Sequence, residues 1–443
     1  MINKIQSFPE ALRNIKDGDT IFVTGFHGAN MPFELINGIL KKGVKDLTFV
    51  GASQNVIKQL VANDRIKKII VTMPKAKIGS QVYQSTIQST QQYMDGNLEV
   101  EVVSQATLVE RIRAAASGIG AFYTTVGVGT DLAKNKETKI INGVEHVLEY
   151  PIHADVAICR VSKADRWGNV HYSGFRHTMH EMITAAKWSI VQADEIVELG
   201  ALGPTDIHTA GVFVDSVVQT ITPERNFRPE RDYGEDDLGY AMGERLAKDI
   251  PNGSIVELGF GLPWYTLDFL QQGKETIVHS EGLLGISREL KTEEPDKLLR
   301  GADGRVIDLL PGGCATTFSD SFKIVMQGKV DYCLLGAFQV DAAGNFAGWK
   351  TNEPDRLPAP GASMELAANS KNVWIVTRHL DKNGQSKIMK SCTYPLTAAG
   401  VVKRIYTDFA TLEVTSGGLK VLGIHNGMSH EQLEAVTGVP LLK

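Results

Sequence analysis

A single acid in an apolar stretch is the residue of this sequence best placed for covalent chemistry. Residues 277–286 read IVHSEGLLGI, so apolar residues flank Glu281 and glycines follow at Gly282 and Gly285. A β-branched run that stops at Ser-Glu-Gly predicts a buried strand that ends in a sharp turn. The acid would then lie at the carboxyl end of a strand, where open α/β sheets keep their ligands. A turn carboxylate can also simply bond to nearby backbone, so the stretch alone leaves both roles open.

Two glycine-rich turns each follow a predicted strand and precede a predicted helix. The first contains Gly25 and Gly28, and the second contains Gly259 and Gly261. Backbone N–H groups at such turns can hold an anion or a carbonyl oxygen. Neither turn is a G-x-G-x-x-G motif or a Walker loop, so dinucleotide or NTP binding has little support. Tight strand-to-helix turns explain these glycines about as well.

Other polar groups have structural explanations that compete with chemical ones. His177, His180 and Glu181 place two imidazoles one helical turn apart beside an acid, but they form neither H-E-x-x-H nor H-x-x-E-H, so we expect no metal. Ser319 and Asp320 fit the N-cap of the following helix. The sequence contains no G-x-S-x-G elbow, and serine acyl transfer therefore lacks a motif.

Short β-rich runs alternate with helical patterns along the chain. The predicted strands include 21–23, 47–50, 69–71 and 100–103, and the predicted helices include 32–40, 56–61 and 107–116. This alternation is typical of βαβ units, so we predict an α/β fold with a mostly parallel sheet.

The same series of motifs occurs twice in the same order. The matched pairs are 17–28 with 252–261, 155–169 with 331–345, 187–191 with 371–376, and 209–214 with 398–402. Such an ordered repeat predicts two related α/β domains, duplicated and fused. Apolar periodicity lapses near residue 222, where prolines and charges dominate, so we place domains at 1–225 and 238–443 with a linker at 226–237.

Composition excludes several classes of protein. The formal net charge of −5 over 443 residues indicates no nucleic-acid-binding surface. No run approaches the length of a membrane span, and the first residues lack the apolar core of a signal peptide. The four cysteines are widely spaced, without C-x-x-C, and most lie in apolar runs typical of buried thiols in a reducing compartment. We therefore predict a cytoplasmic protein that binds neither nucleic acid nor membrane.

Together, the motifs of both halves resemble those of the family I CoA-transferases, the succinyl-CoA:3-oxoacid and acetate/acetoacetyl-CoA transferase group. The matching segments are 105–113, 118–124, 127–130, 163–169, 259–263, 280–285, 320–322 and 392–397. The likeness covers nearly the whole chain, with the first half resembling the α subunit and the second the β subunit. It implies two homologous, mostly parallel open-sheet domains of the CoA-transferase type, which is also sugar-phosphate-isomerase-like.

The resemblance implies CoA transfer between an acyl-CoA and a small carboxylic acid by a ping-pong mechanism. Glu281 would be the nucleophile and would carry a glutamyl-CoA thioester, with CoA as co-substrate and no other cofactor. Gln105 and the backbone N–H groups of Gly361 and Ala362 would stabilise the oxyanions. CoA and substrate would be bound by residues of the glycine turns and their surroundings, namely Gly25, Gly28, Glu257, Gly259, Gly261, Gly282 and Arg305.

Three positions depart from the family pattern. The usual Ser-Glu-Asn-Gly lacks its asparagine after Glu281, Glu257 replaces an asparagine, and Arg305 replaces a lysine. If the two glutamates lay about 6 Å apart, their repulsion at an effective dielectric near 20 would be roughly 3 kcal/mol and would favour the protonated nucleophile. We expect Arg305 to offset this repulsion by pairing with Glu257, and the pair to alter which acid fits.

Two other functions stay open. An acyl-CoA hydrolase on the same scaffold would use water in place of the acid, and a sugar-phosphate-isomerase-like sensor would perform no chemistry. No feature identifies the donor or the acceptor acid. The family habit predicts a homo-oligomer, a dimer or tetramer of fused chains.

Overall fold

The structure is a computed structural model that describes most of the chain. The described residues are 2–25, 29–74, 77–78, 81–82, 84–174, 176–222, 236–270, 275–287, 298–301, 306–352 and 357–443. Gly28, Arg305 and most of the predicted linker therefore lie outside the described residues.

The first half contains a mostly parallel sheet with helices packed against it. Its helices are α1 Phe8–Ala11, α2 Phe33–Lys42, α3 Lys58–Ala62, α4 Gln84–Met94, α5 Gln105–Ala116 and α6 Met179–Ala185. Its strands are β1 Thr20–Val23, β2 Leu47–Ser53, β3 Ile66–Met73, β4 Lys77–Ile78, β5 Gln81–Val82, β6 Glu99–Val102, β7 Phe122–Thr124, β8 Thr138–Ile141, β9 Val144–Glu149, β10 Ala154–Asp165, β11 Val170–His171, β12 Ala186–Val197 and β13 Ser216–Gln219. The main sheet has the order β13-β12-β10-β1-β2-β3-β6, with parallel neighbours throughout.

The second half repeats this plan with an added antiparallel edge. Its helices are α7 Asp237–Asp249, α8 Leu267–Leu270, α9 Phe318–Met326, α10 Ser363–Asn369 and α11 His430–Thr437. Its strands are β14 Ile255–Leu258, β15 Ile277–Ser280, β16 Leu283–Ser287, β17 Asp308–Ala315, β18 Tyr332–Leu335, β19 Gln339–Asp341, β20 Phe346–Ala347, β21 Asn372–Val376, β22 Ile388–Met389, β23 Val402–Tyr406, β24 Ala410–Thr415, β25 Gly418–Ile424 and β26 Leu441–Leu442. The main sheet has the order β17-β16-β15-β14-β18-β21-β23-β24-β25-β26.

These two sheets confirm the predicted α/β class with two mostly parallel open-sheet domains. The predicted helix at 107–116 is α5, which begins two residues earlier at Gln105. The N-cap of α9 is Thr317 and not the predicted Ser319 or Asp320, because the Thr317 hydroxyl accepts the Asp320 N–H at 3.2 Å. No helix among the described residues is long and apolar enough to cross a membrane.

The sequence repeat corresponds to repeated hydrogen bonding. Asp165 in the first half and Asp341 in the second each accept the side-chain amide of the Asn four residues later, at 2.9 and 3.0 Å. Each Asn then accepts a glycine N–H at 2.9 Å, from Gly211 and Gly400 respectively. Identical turns at matched positions support duplication of one ancestral unit.

The two halves share a hydrophobic core. Ala52, Ala106 and Val109 of the first half belong to the same buried cluster as Trp264 and Phe318 of the second. Helix α5 therefore packs between the sheets, and its first residue is fixed relative to both halves. This shared core fixes the two halves relative to each other at the candidate active site.

Candidate active site

Glu281 lies in a two-residue hairpin between β15 and β16. Ser280 and Leu283 are paired across the hairpin, so only Glu281 and Gly282 form the turn. Both have positive φ, +55° and +88°, as the tightest favoured hairpin turns require. The predicted strand ending in a sharp turn is confirmed, and the absent asparagine corresponds to a hairpin with no room for a third residue.

The left-handed conformation of Glu281 is unusual, because a side chain there meets its own backbone. The turn is held by Thr316, whose N–H and hydroxyl donate to the Gly282 carbonyl at 2.7 and 2.9 Å. Strained residues that the surroundings hold in place are found most often at functional sites.

The hairpin is the place where the duplicated halves diverge. By sheet register, β2 of the first half corresponds to β15 and places Ala52 where the second half has Glu281. The chain after Ala52 passes through α3 to a parallel strand, whereas the chain after Glu281 turns straight back. The second half alone therefore carries the acid at this position.

Gln105 reaches Glu281 from the other half of the chain. Its Nε2 lies 3.4 Å from Oε2 of Glu281, and its backbone N–H donates to the Gly361 carbonyl at 2.8 Å. The next N–H of α5, on Ala106, donates to Oε1 of Glu365 at 2.7 Å. Glu365 belongs to α10 and is fully buried, so the second half caps the helix that presents Gln105.

These residues line a cavity of about 460 Å³. Its wall is largely apolar, and the acids that line it among the described residues are Glu257 and Glu281. The cavity is also lined by Gln105, Gly259, His279, Ser321, Gly361 and Ala362. A mostly apolar pocket with a few convergent polar groups is the usual form of a small-molecule site.

The cavity makes Glu281 a weaker acid than an ordinary glutamate side chain. Burial and then the negative charge of Glu257 raise the pKa of Glu281 to about 8, and the hydrogen bond from Gln105 opposes them. The expected repulsion between the two glutamates is thus present, although burial is the larger cause.

Glu257 has a partner that sequence reasoning missed. Glu257 and His279 are paired across β14 and β15, and Oε2 of Glu257 is hydrogen-bonded to Nδ1 of His279. Burial raises the pKa of Glu257, and His279 opposes that shift. The predicted pair with Arg305 lies outside the described residues. The signal available in the sequence was the register, because both residues precede a turn at the ends of adjacent strands.

Comparison with known proteins identifies the family. The profile of the Coenzyme A transferase family matches residues 5–220 and 240–434. The rat mitochondrial succinyl-CoA:3-ketoacid coenzyme A transferase 2A is 31% identical over 97% of this chain and 87% of its own. The chain belongs to the Coenzyme A transferase family. Its members transfer CoA between acyl-CoAs and carboxylic acids, so the chain is an enzyme of this class.

Two further transferases show how the chain is built. Subunits A and B of the Pseudomonas putida 3-oxoadipate CoA-transferase are 43% and 42% identical, over 49% and 46% of this chain and 94% and 95% of their own. Each subunit matches about half of the chain. An acyl-CoA transferase structure from Escherichia coli has the same fold, with a TM-score of 0.79 at 16% identity over 100% of this chain and 94% of that one.

The glycines that were predicted to bind CoA and substrate do not all line the cavity. Gly259 lines it, but the Gly259 N–H donates to the Leu334 carbonyl at 2.8 Å and is not available to a ligand. Gly25, Gly261 and Gly282 are not among the lining residues. Gly25 has a structural requirement of its own, because a Cβ there would lie 2.4 Å from Met31.

The two predicted backbone donors also differ. The Gly361 N–H donates to the Thr72 carbonyl at 3.2 Å, whereas the Ala362 N–H has no acceptor among the described residues. Of these two N–H groups, the one of Ala362 is therefore available to donate a hydrogen bond to an oxyanion.

The histidine pair of the first half serves packing. The His177 ring packs against Phe318 with 3.8 Å between ring centroids and 50° between the ring planes. Nδ1 of His180 lies 2.9 Å from the Thr209 hydroxyl. Burial raises the pKa of the neighbouring Glu181. Among the described residues, no group of three His, Cys, Asp or Glu side chains is arranged to hold a metal ion.

Proposed function

We propose that this enzyme exchanges CoA between an acyl-CoA and a small carboxylic acid by a ping-pong mechanism in which Glu281 is the nucleophile. The observation that carries the proposal is the position of Glu281, which meets Gln105 of the other half in a largely apolar cavity. Glu257, the other acid of that cavity, is already bonded to His279.

The reaction divides a difficult transfer into activated steps. The Glu281 carboxylate attacks the thioester carbonyl and expels CoA thiolate. The acyl group is then bonded to Glu281 as a mixed anhydride. The thiolate then attacks the glutamyl carbonyl, which releases the first acid and leaves a glutamyl-CoA thioester. The acceptor acid reverses both steps. An apolar cavity suits these intermediates, because exclusion of water slows their hydrolysis.

Each attack produces an oxyanion that needs hydrogen-bond donors. We assign this task to the amide of Gln105 and to the N–H of Ala362, which has no acceptor within the described part of the chain. Both lie at the junction of the halves, so neither half would be active alone. The mechanism itself uses no metal or cofactor beyond CoA as co-substrate, because the carboxylate is the nucleophile and the thiolate is a good leaving group.

The names of the relatives indicate which substrates to test first. The rat relative is named for succinyl-CoA and 3-ketoacids, and the Pseudomonas relative for 3-oxoadipate. We therefore propose a 3-oxo acid as one of the two acids. We further propose that the chain is cytoplasmic and forms a homo-oligomer, a dimer or a tetramer.

The deciding experiment follows CoA exchange and CoA release side by side. The protein is incubated with succinyl-CoA, with and without isotopically labelled acetoacetate, and both labelled acyl-CoA and free thiol are measured. A transferase forms labelled acyl-CoA much faster than it releases thiol without acid. Equal thiol release with and without acid, and no labelled product, would favour hydrolysis instead.

A further inference from the structure

Three side chains form a hydrogen-bonded series along the cavity wall. Oε2 of Glu257 contacts Nδ1 of His279, and Nε2 of His279 lies 3.1 Å from Oγ of Ser321 on α9. All three are at most 4% exposed, and all three line the cavity that contains Glu281. The series ends in a hydroxyl and not in a carboxylate or an amide.

The direction of these hydrogen bonds follows from the chemistry of the groups. An ionised Glu257 can only accept, so Nδ1 of His279 carries the proton. Nε2 is then the acceptor, and the Ser321 hydroxyl donates to it. This is the arrangement in which an imidazole removes the proton of a serine hydroxyl as that hydroxyl attacks a carbonyl, with the acid holding the imidazole in the required tautomer.

We propose that Ser321, His279 and Glu257 form a second nucleophilic centre, which hydrolyses acyl-CoA thioesters when no acceptor acid is bound. This inference rests on the proposed function only in that the cavity binds acyl-CoA. Glu281 takes no part in it, and the two centres are two routes for one bound thioester.

The steps are those of covalent hydrolysis. Oγ of Ser321 bonds to the thioester carbonyl carbon while its proton passes to Nε2 of His279. The carbon–sulfur bond breaks, and the departing CoA sulfur takes that proton. Water then attacks the acyl-serine ester with His279 as base, releasing the acid and restoring the hydroxyl. Ala362 lines the same cavity and offers an N–H without an acceptor among the described residues.

The sequence hides this centre, because its members lie in the order Glu257, His279, Ser321 on two strands and a helix. No nucleophile elbow surrounds Ser321. Its own N–H donates to the Thr317 carbonyl at 2.9 Å, within the first turn of α9. The centre therefore becomes visible only when strand register and helix packing bring the three side chains together.

The test uses Glu281→Ala, which removes the first nucleophile and leaves the second. This variant is treated with a fluorophosphonate probe and, separately, with acetyl-CoA, and its peptides are mapped by mass spectrometry. We expect phosphonyl or acetyl groups on Ser321. Adding Ser321→Ala or His279→Gln should abolish the label and lower acid-independent thiol release by about 100-fold. Ser319→Ala removes a hydroxyl from the same helix without touching His279, and should change neither.

Absence of label on Ser321 in a Glu281→Ala chain that unfolds at the wild-type temperature would overturn the inference, as would unchanged thiol release after Ser321→Ala. The proposed function fails differently. If Glu281→Ala still exchanged CoA at the wild-type rate, the mechanism through Glu281 would be wrong whatever happened at Ser321.

Discussion

Gln105 and Glu281 come from opposite halves of the chain, and Nε2 of Gln105 lies 3.4 Å from Oε2 of Glu281. The contact depends on three fixed features: the hairpin after β15, the start of α5 and the buried Glu365 that caps it. The chain thus contains two similar sheets, and the candidate active site lies where they meet.

Replacing Gln105 should reduce catalysis more than binding. Gln105→Ala removes a donor to the developing oxyanion, so we expect kcat to fall by about 100-fold with a smaller change in KM. Steady-state exchange assays measure both constants. The control is Glu110→Gln. Glu110 is on the same helix and forms a partly exposed ion pair with Arg113, so this variant should retain activity. A wild-type kcat for Gln105→Ala would exclude the assigned role.

The pH profile should report the ionisation of Glu281. Its pKa is raised to about 8, and only the carboxylate attacks, so kcat/KM should increase with pH and level off above about 8. Glu257→Gln removes a negative charge that raises this pKa, and the midpoint should move to lower pH. Glu244→Gln, a change at an exposed helix acid, should leave the midpoint in place. A Glu257→Gln midpoint at equal or higher pH would contradict this electrostatic account.

The same ionisation predicts a pH dependence of stability. A carboxyl whose pKa rises from 4.5 to about 8 on folding binds its proton more tightly in the native state. The contribution of Glu281 to the free energy of unfolding should therefore decline as pH rises between those values. Glu281→Gln should remove that decline, so the variant gains stability over wild type as pH increases. Urea unfolding at several pH values tests this, and parallel curves for the two proteins would disprove it.

Glu365 should support both folding and catalysis. Glu365→Ala leaves the Ala106 N–H without its acceptor and frees the start of α5, so we expect a loss of about 1–3 kcal/mol in unfolding free energy and a lower kcat. Glu365→Gln keeps an acceptor oxygen and should recover most of both. Chemical unfolding and exchange rates provide the measurements. Full activity of Glu365→Ala would show that Gln105 is positioned by other contacts.

Substitutions at two glycines should distinguish the effect of backbone strain on stability from the effect of the hairpin on activity. Gly282→Ala forces a side chain into φ +88° and within 3.1 Å of the Thr316 carbonyl, next to Glu281. Gly253→Ala also places a side chain at a positive φ of +78°, but its Cβ would have no neighbouring atom within 4 Å. Both should lose about 1–2 kcal/mol of stability, whereas only Gly282→Ala should lose exchange activity. Comparable activity losses in the two variants would mean that the hairpin has no special role.

Much of the fold could be predicted because its signals are local. Strand and helix periodicity defined the α/β class, and the repeated Asp165 and Asp341 motifs predicted duplication because each forms the same turn with an Asn four residues later. Glu281 was found in the same way, since a strand, an acid and a glycine are contiguous.

The rest of the site depends on distant contacts that no local pattern encodes. The partner of Glu257 is set by strand register, which joined it to His279. Glu365 caps a helix 259 residues away in sequence, and Ser321 enters the cavity from α9. The hydrogen bonds already made by Gly259 and Gly361 were equally hidden, because a glycine turn does not reveal which N–H groups the fold has used.

The most direct test of the central claim is to trap the intermediate on Glu281. The protein is incubated with succinyl-CoA, reduced with borohydride, digested and mapped by mass spectrometry. Borohydride converts a glutamyl-CoA thioester to a primary alcohol, so we predict this change at Glu281 and at no other acid of the cavity. An unmodified Glu281 in a protein that exchanges CoA, or reduction at Glu257 instead, would contradict the mechanism.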